Sequence, residues 1–554
     1  MRAHRRPSLA LALAVTATSA VALLASGCGK SLSSATSGST AGDVSPTAGL
    51  VVTSPVGTQP VSQVTWALYR DVDSLDPAFA FDYPENTAIS LMCESLLRQE
   101  PNGAIAPGLA TVSTPTPTSV IFTIRKGATF WDGHPVTPAD VVYSLQRQEA
   151  PALGGFYGQV FDRVKSIAAT GSDQVTLTLS QPDYWLEGEL SSMAGVIIEK
   201  AYAVKEGKNY GTPVGGIMCT GDYELSSWSP ATGVVATANP HYWNGPTPVT
   251  KEIILKGVAD NNALTAGLET GSISGTFVSG GEPTLPQLRA SKAVKVYQGP
   301  GESTDAMIIS ATSGPLTNVK VRQALSLAVN RQAVIDNVYM GAALPAKWLT
   351  NPGTFGYGTS TLDQMYNAAP ALKQNIAEAK KLVRQAGATG QTITIGTSQE
   401  MVGISYEAGV YEQAAQAIGL KVAFKNVSAQ DFINFFTDPN FRKGVDMFPT
   451  TNYGDYAGPE GLLETLALPG GSQNYDNFND PKITQLMDQS RSTADPVIRA
   501  KLMAEAEQEA AVTLPWIPTC QPTTVTVLNA KLTGATTSFS YMFAPWAGSL
   551  GGTS

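Results

Sequence analysis

Histidine is nearly missing from this chain of 554 residues: His4, His134 and His241 are all it has. His4 lies in an N-terminal leader. The other two stand far apart, His134 in a turn and His241 beside Trp243, and both read as surface or packing residues. A catalytic zinc or a haem held by histidines finds no support in such a set, and no metal site is expected. Also missing are a nucleophile elbow, a phosphate-binding glycine loop, a dinucleotide fingerprint and an HExxH helix. A spatial Ser/His/Asp triad needs no motif, yet nothing supports one. Asp71-x-Asp73-x-x-Asp76 lacks the glycine and the closing glutamate of a calcium loop, so it reads as a strand-to-loop turn. After the leader no run of eighteen uncharged apolar residues occurs, so no transmembrane helix is expected. Tandem repeats and coiled-coil heptads are absent too.

Positive charge is short as well. Losing Arg2, Arg5 and Arg6 with the leader leaves 33 basic against 45 acidic residues, a net charge of −12. That balance disfavours nucleic acid and anionic lipid as partners.

The leader itself is informative. Arg2, Arg5 and Arg6 precede an apolar run from Leu9 to Leu24, as in a secretory signal. Leu24-Ala25-Ser26-Gly27-Cys28 then resembles a bacterial lipobox, in which Cys28 becomes the lipidated N-terminus; the alternative is an ordinary signal with an incidental cysteine. Residues 29–60 are almost all Gly, Ser, Thr, Ala, Pro and Val, which reads as a flexible tether. A lipid on Cys28 with such a leash places the folded part on the extracytoplasmic face of the cell membrane, anchored rather than spanning.

Residues 120–145 show how local signals build scaffold. Val120-Ile121-Phe122-Thr123-Ile124 alternates as a half-buried strand does. Asp132-Gly133 is turn chemistry. Thr137 stands as an N-cap with Pro138 at the first helical position and Asp140 three residues on, a capping-box pattern. Farther on, Val321, Leu325 and Ala328 share a helical face, and Asn330 caps the next helix. Residues 375–427 alternate helix, strand, helix and strand, with stops at Gly387 and Gly419. That spacing argues a βαβ unit and an α/β lobe.

The composite Phe130-x-Asp132-Gly133-x-Pro135-Val136-Thr137-x-x-Asp140-Val141 resembles the family 5 extracellular solute-binding proteins, the peptide-binding lipoproteins of bacterial ABC importers. The resemblance continues in the family's order through Leu75-Asp76-Pro77, Pro107-Gly108-Leu109-Ala110, Thr220-Gly221-Asp222-Tyr223 with Trp228, Asn239-Pro240-His241-Tyr242-Trp243, and Val321-Arg322-Gln323-Ala324. It spans about residues 64–530. It implies an α/β, two-lobed periplasmic-binding-protein-like fold with a hinge and an extra subdomain. The expected division is a signal peptide at 1–27, lipidated Cys28 and tether at 28–60, a discontinuous N-terminal lobe at 61–98, 212–306 and 516–554, a subdomain at 99–211, and a second lobe at 307–515.

The same resemblance implies a monomeric receptor without cofactor or covalent chemistry. It would bind a peptide between the lobes and pass it to an ABC permease driven by its ATPase. Within the class the alternative ligands are haem, a metal chelate or an oligosaccharide; outside it stands a lipid-anchored hydrolase or an adhesive lipoprotein. Asp455 and Tyr456 match the family's Asp-Tyr pair, whose Asp meets the peptide α-ammonium, while Asn452 replaces a Trp; Tyr453 lies between. A buried carboxylate needs such a cationic partner. The alternative reading is an Asx turn. A second expected ligand loop carries Phe81, Asp82 and Tyr83. With Cys28 lipidated, three cysteines remain. The family's topology returns Cys219 and Cys520 to the N-terminal lobe, which implies a Cys219–Cys520 disulfide and a free, buried Cys93.

Overall fold

The computed structural model describes residues 47–278 and 281–554. The leader, Cys28 and most of the expected tether lie outside the described residues.

Each lobe is built on one mixed sheet. In the first, the order is Val294–Gly299, Thr524–Asn529, Gly275–Val278, Val64–Leu68, Glu252–Gly257, Gly233–Ala238 and Tyr223–Ser229. Val64–Leu68 runs parallel to both neighbours. It is apolar on both faces because both are covered. Trp66 is fully buried there, with its ring 4.7 Å from Phe277 and 4.6 Å from Trp546. Truncating such a residue costs about 3–5 kcal/mol.

The second sheet runs Ala343–Pro345, Trp516–Pro522, Ser303–Ile309, Met447–Tyr453, Thr392–Thr397 and Lys421–Asn426. Thr392–Thr397 and Lys421–Asn426 pair in parallel around the helix Val402–Ala417, the βαβ unit that the spacing predicts. Gly419, at φ +90°, ends that helix where a side chain would be strained.

A four-stranded antiparallel sheet, Ala110–Thr116, Ser119–Ile124, Gln174–Leu179 and Val164–Ala169, forms the additional layer. The helix Pro138–Glu149 packs on it. Its capping box forms as expected: Asp140 N donates to Thr137 Oγ1 at 3.4 Å and Thr137 N to Asp140 Oδ2 at 3.0 Å. Phe130 is buried, and Trp131 N donates to the Cys219 carbonyl at 3.1 Å. The turn thereby fastens this layer to the first lobe.

The chain passes between the two main sheets at two adjacent places, residues 300–302 and Thr523. Thr524 Oγ1 donates to the Pro300 carbonyl at 2.8 Å. A Cβ on Gly301 would lie 2.1 Å from the Pro522 oxygen, so only glycine lets the two crossings touch.

Three expectations need correction. The strand Trp516–Pro522 pairs with Ser303–Ile309 in the second lobe's sheet, not in the N-terminal lobe, and only Thr524–Asn529 returns to the first. The tether is shorter than its composition suggests. Ser54 N donates to the Ala535 carbonyl, Gly57 N to Ser549, and Val61 N to Val249. Backbone groups make these bonds, so a sequence poor in apolar side chains still docks. The disulfide is Cys93–Cys219, not Cys219–Cys520. Cys93 is the extended residue that ends the helix Tyr83–Met92. Gly221 N donates to the Met92 carbonyl at 3.0 Å, which brings Cys219 beside it, at a Cα separation of 5.0 Å. Cys520 is buried and free in the second lobe's sheet.

Candidate ligand site at the lobe junction

The two loops expected to hold ligand come together. Tyr453, at the end of its strand, donates its hydroxyl to the Phe81 carbonyl at 2.9 Å. The Tyr83 ring meets the Tyr453 ring edge-on at 5.0 Å, and the Tyr83 and Ser303 hydroxyls lie 3.1 Å apart. Behind them a cavity of ≈ 20 Å³ is lined by Tyr83, Ser303, Thr451, Phe539 and Tyr541, among others. That is room for about one water.

Within these loops the side chains divide by task. Asp82 is engaged by its near neighbours in the chain. It caps the following helix, accepting from Tyr83 N at 2.8 Å, and pairs with Arg70 at 2.8 Å. Arg70 also pairs with Glu85 at 2.7 Å. Phe81 is 37% exposed and packs its ring 4.2 Å from that of Phe156, itself 45% exposed. Asn452 bonds to Gln473 and accepts from Tyr453 N, so it shapes the loop. Tyr456 is buried against a glycine clasp: a Cβ on Gly188 would sit 2.5 Å from its ring, and one on Gly458 2.7 Å.

Asp455 is half-buried, and among the described residues no donor or cation pairs with its carboxyl. Burial alone pushes it up to about 7. Its charge also raises the neighbouring Tyr157 hydroxyl, which donates to the Ala80 carbonyl. Such a carboxyl is half neutral at neutral pH, and an incoming ammonium would draw it into its charged form.

Sequence reasoning did not single out Gln99, Glu302 or Glu189. Ala457 N donates to Gln99 Oε1 at 3.1 Å, and Gln99 Nε2 bonds in turn to Glu302. These groups meet only through the fold, across hundreds of residues, and no local spacing marks them. Arg442 stacks on Tyr475 at 3.8 Å and donates to the Phe435 and Phe436 carbonyls. Away from this junction, Asp132, His134 and Glu199 converge. His134 Nδ1 lies 2.8 Å from Asp132 and 3.1 Å from Glu199, and the two carboxylates raise the imidazole's pKa.

Comparison with known proteins agrees with this architecture. Over 447 residues the chain is 27% identical to the periplasmic murein peptide-binding protein MppA of Escherichia coli K12, covering 75% of this chain and 80% of that one. It is 26% identical over 460 residues to the periplasmic oligopeptide-binding protein OppA of the same strain, covering 79% and 83%. Its fold matches the periplasmic binding protein DppA of Helicobacter pylori, solved with the peptide STSA, at a TM-score of 0.77 and 20% identity over 90% of this chain and 99% of that one. The family model of the bacterial extracellular solute-binding proteins, family 5, matches residues 104–474, more than half of the sequence, and the chain belongs to that family.

Proposed function

We propose that this protein is the lipid-anchored, extracytoplasmic substrate-binding component of an ABC importer, and that it takes peptides by their α-ammonium at Asp455. One observation carries the ligand class. The Asp455 carboxyl, on the Tyr453 loop at the lobe junction, has no cationic partner among the described residues. Burying it charged is costly unless a ligand supplies the cation. Two relatives, MppA and OppA, are peptide-binding by name, which agrees with this reading. Cys28 would be the anchor and residues 29–46 the leash. Delivery to a permease follows from lobe closure over the ligand, which gives the loaded receptor a distinct shape. The test is calorimetry with matched tripeptides, free or acetylated at the N-terminus. Free peptides should bind and acetylated ones should lose most of their affinity, as should free peptides on D455N. Equal affinity for both forms would remove Asp455 from the site.

A further inference from the structure

Behind Tyr456 the junction carries more acid than one ammonium needs. Glu189, at the end of the short helix Leu186–Glu189, is 2% exposed, and neither of its carboxyl oxygens has a hydrogen-bond partner. Tyr456 is also 2% exposed, and among the described residues its hydroxyl has no partner either. The Tyr456 ring rests on Gly188, so both orphaned groups lie at the same contact between the subdomain and the second lobe. Glu464 is half-buried on the helix Glu460–Ala467 and feels the charges of both Asp455 and Glu189. Burial, and then repulsion from neighbouring carboxylates, pushes Glu464 up to about 8 and Glu189 well above the usual range.

Two cations stand nearby, and the charge of Arg491 acts on Glu189 and Glu464 as well as on Asp183, without a hydrogen bond to either glutamate among the described residues. Arg491 holds Asp183 through two bonds, at 2.6 and 2.9 Å, and lies over the Trp185 ring. Arg499 lies over the Tyr357 ring, whose hydroxyl donates to Glu460 at 2.8 Å, and its buried Nε has no hydrogen-bond partner among the described residues. Buried polar groups in native proteins nearly always have partners, so a buried carboxyl and a buried hydroxyl that both lack one need an explanation.

We propose that Glu189, Glu464 and the Tyr456 hydroxyl form a second cationic subsite beside Asp455, so that the preferred ligand is a peptide carrying a basic side chain close to its free N-terminus. This rests on the Asp455 reading above. The α-ammonium occupies Asp455, and a lysyl or arginyl head reaches past Tyr456 to the two glutamates. A long aliphatic stem suits that path, because it crosses the aromatic ring before its charge meets the acids. Charge-assisted hydrogen bonds to both carboxyls would then supply the missing partners.

The experiment compares tripeptides with a free N-terminus that differ only by lysine or norleucine at the first or second position. Norleucine keeps most of the stem and removes the charge. On the unmutated protein the better lysyl peptide should bind at least tenfold more tightly than its norleucyl partner. The E189Q/E464Q variant should erase that preference while keeping the affinity for norleucyl peptide, and D455N should weaken both. Lysyl and norleucyl peptides binding equally, with N-acetylation still abolishing binding, would overturn the second subsite and leave the peptide reading standing. Indifference to acetylation as well would overturn both. Calcium chloride is titrated in parallel. Calcium bound by the wild type but not by E189Q/E464Q, with no lysine preference, would assign the acids to an inorganic cation and overturn the proposal. Because the lysine–norleucine comparison uses unmutated protein, it decides even if the double variant folds poorly.

Discussion

Ala457 N donates to Gln99 Oε1 at 3.1 Å, and this single bond joins the hairpin Leu97–Gln99/Ile105–Pro107 to the loop that carries Asp455. Gln99 passes the contact on to Glu302, between the two sheets. Both ends are buried, so removing the amide leaves a backbone donor and a carboxyl without a partner. Q99A should lose about 1–3 kcal/mol of stability, measured by urea unfolding, as expected for orphaned buried groups. A loss below a few tenths of a kcal/mol would mean that water replaces the amide fully.

Peptide affinity should depend on pH with a sign set by Asp455. Its carboxyl titrates near 7 in the free protein, and a bound ammonium lowers that value. Below about 7 the proton must leave before the ion pair forms. Affinity should therefore be flat above that point and fall by up to tenfold per unit as pH drops below it. Calorimetry in buffers of different ionisation enthalpy should record a released proton at pH 6. A profile unchanged from pH 5 to 8 would contradict the pairing.

Stability should run the other way. Burial holds Glu302 up at about 8, whereas an ordinary glutamate titrates near 4.5. Across that window the unfolded chain has released a proton that the folded protein retains. The contribution is full below the unfolded value and is lost as pH rises toward 8, at about 1.4 kcal/mol per unit. Melting temperature should decline from pH 5 to 8, and E302Q should flatten the decline. Glu464, also held near 8, acts in the same direction.

The cysteine pairing is open to direct mapping. A non-reducing digest should yield one linked peptide pair containing Cys93 and Cys219, with Cys520 alkylated only after unfolding. The bond closes a loop with a sequence separation of 126, so C93S/C219S should cost about 2–5 kcal/mol. A Cys219–Cys520 link in the digest would refute the geometry seen here.

Truncation separates leash from fold. A chain starting at residue 47 should melt like one starting at residue 29. Starting at residue 62 removes the bonds of Ser54, Gly57 and Val61, and should lower the midpoint by several degrees. Cys28→Ala in the full precursor should move the protein from membrane to soluble fractions without changing its melting temperature.

What could be read from the sequence was local. The Thr137 capping box, the Asn330 cap and the Thr392–Asn426 βαβ unit each depend on residues close in the chain, and each formed as expected. The bond of Asp82 to Arg70, twelve residues earlier, had no such local signal. The cysteine pairing failed for a related reason. It depends on which side of Thr523 the chain leaves the second lobe, and Cys520 falls three residues short of the crossing. Glu189 and Glu464 sit in short helices and carry no motif; only the fold brings them together.

The late return of Thr524–Asn529 has a consequence for export and folding. This strand lies between Val294–Gly299 and Gly275–Val278, so the first lobe's sheet stays split until nearly the last thirty residues emerge. Ser54 and Gly57 in the N-terminal segment likewise find their backbone partners at Ala535 and Ser549. A chain threaded across a membrane from its N-terminus therefore cannot close this lobe ahead of its own tail. The topology holds back the closure of this sheet until nearly the whole chain is available to it.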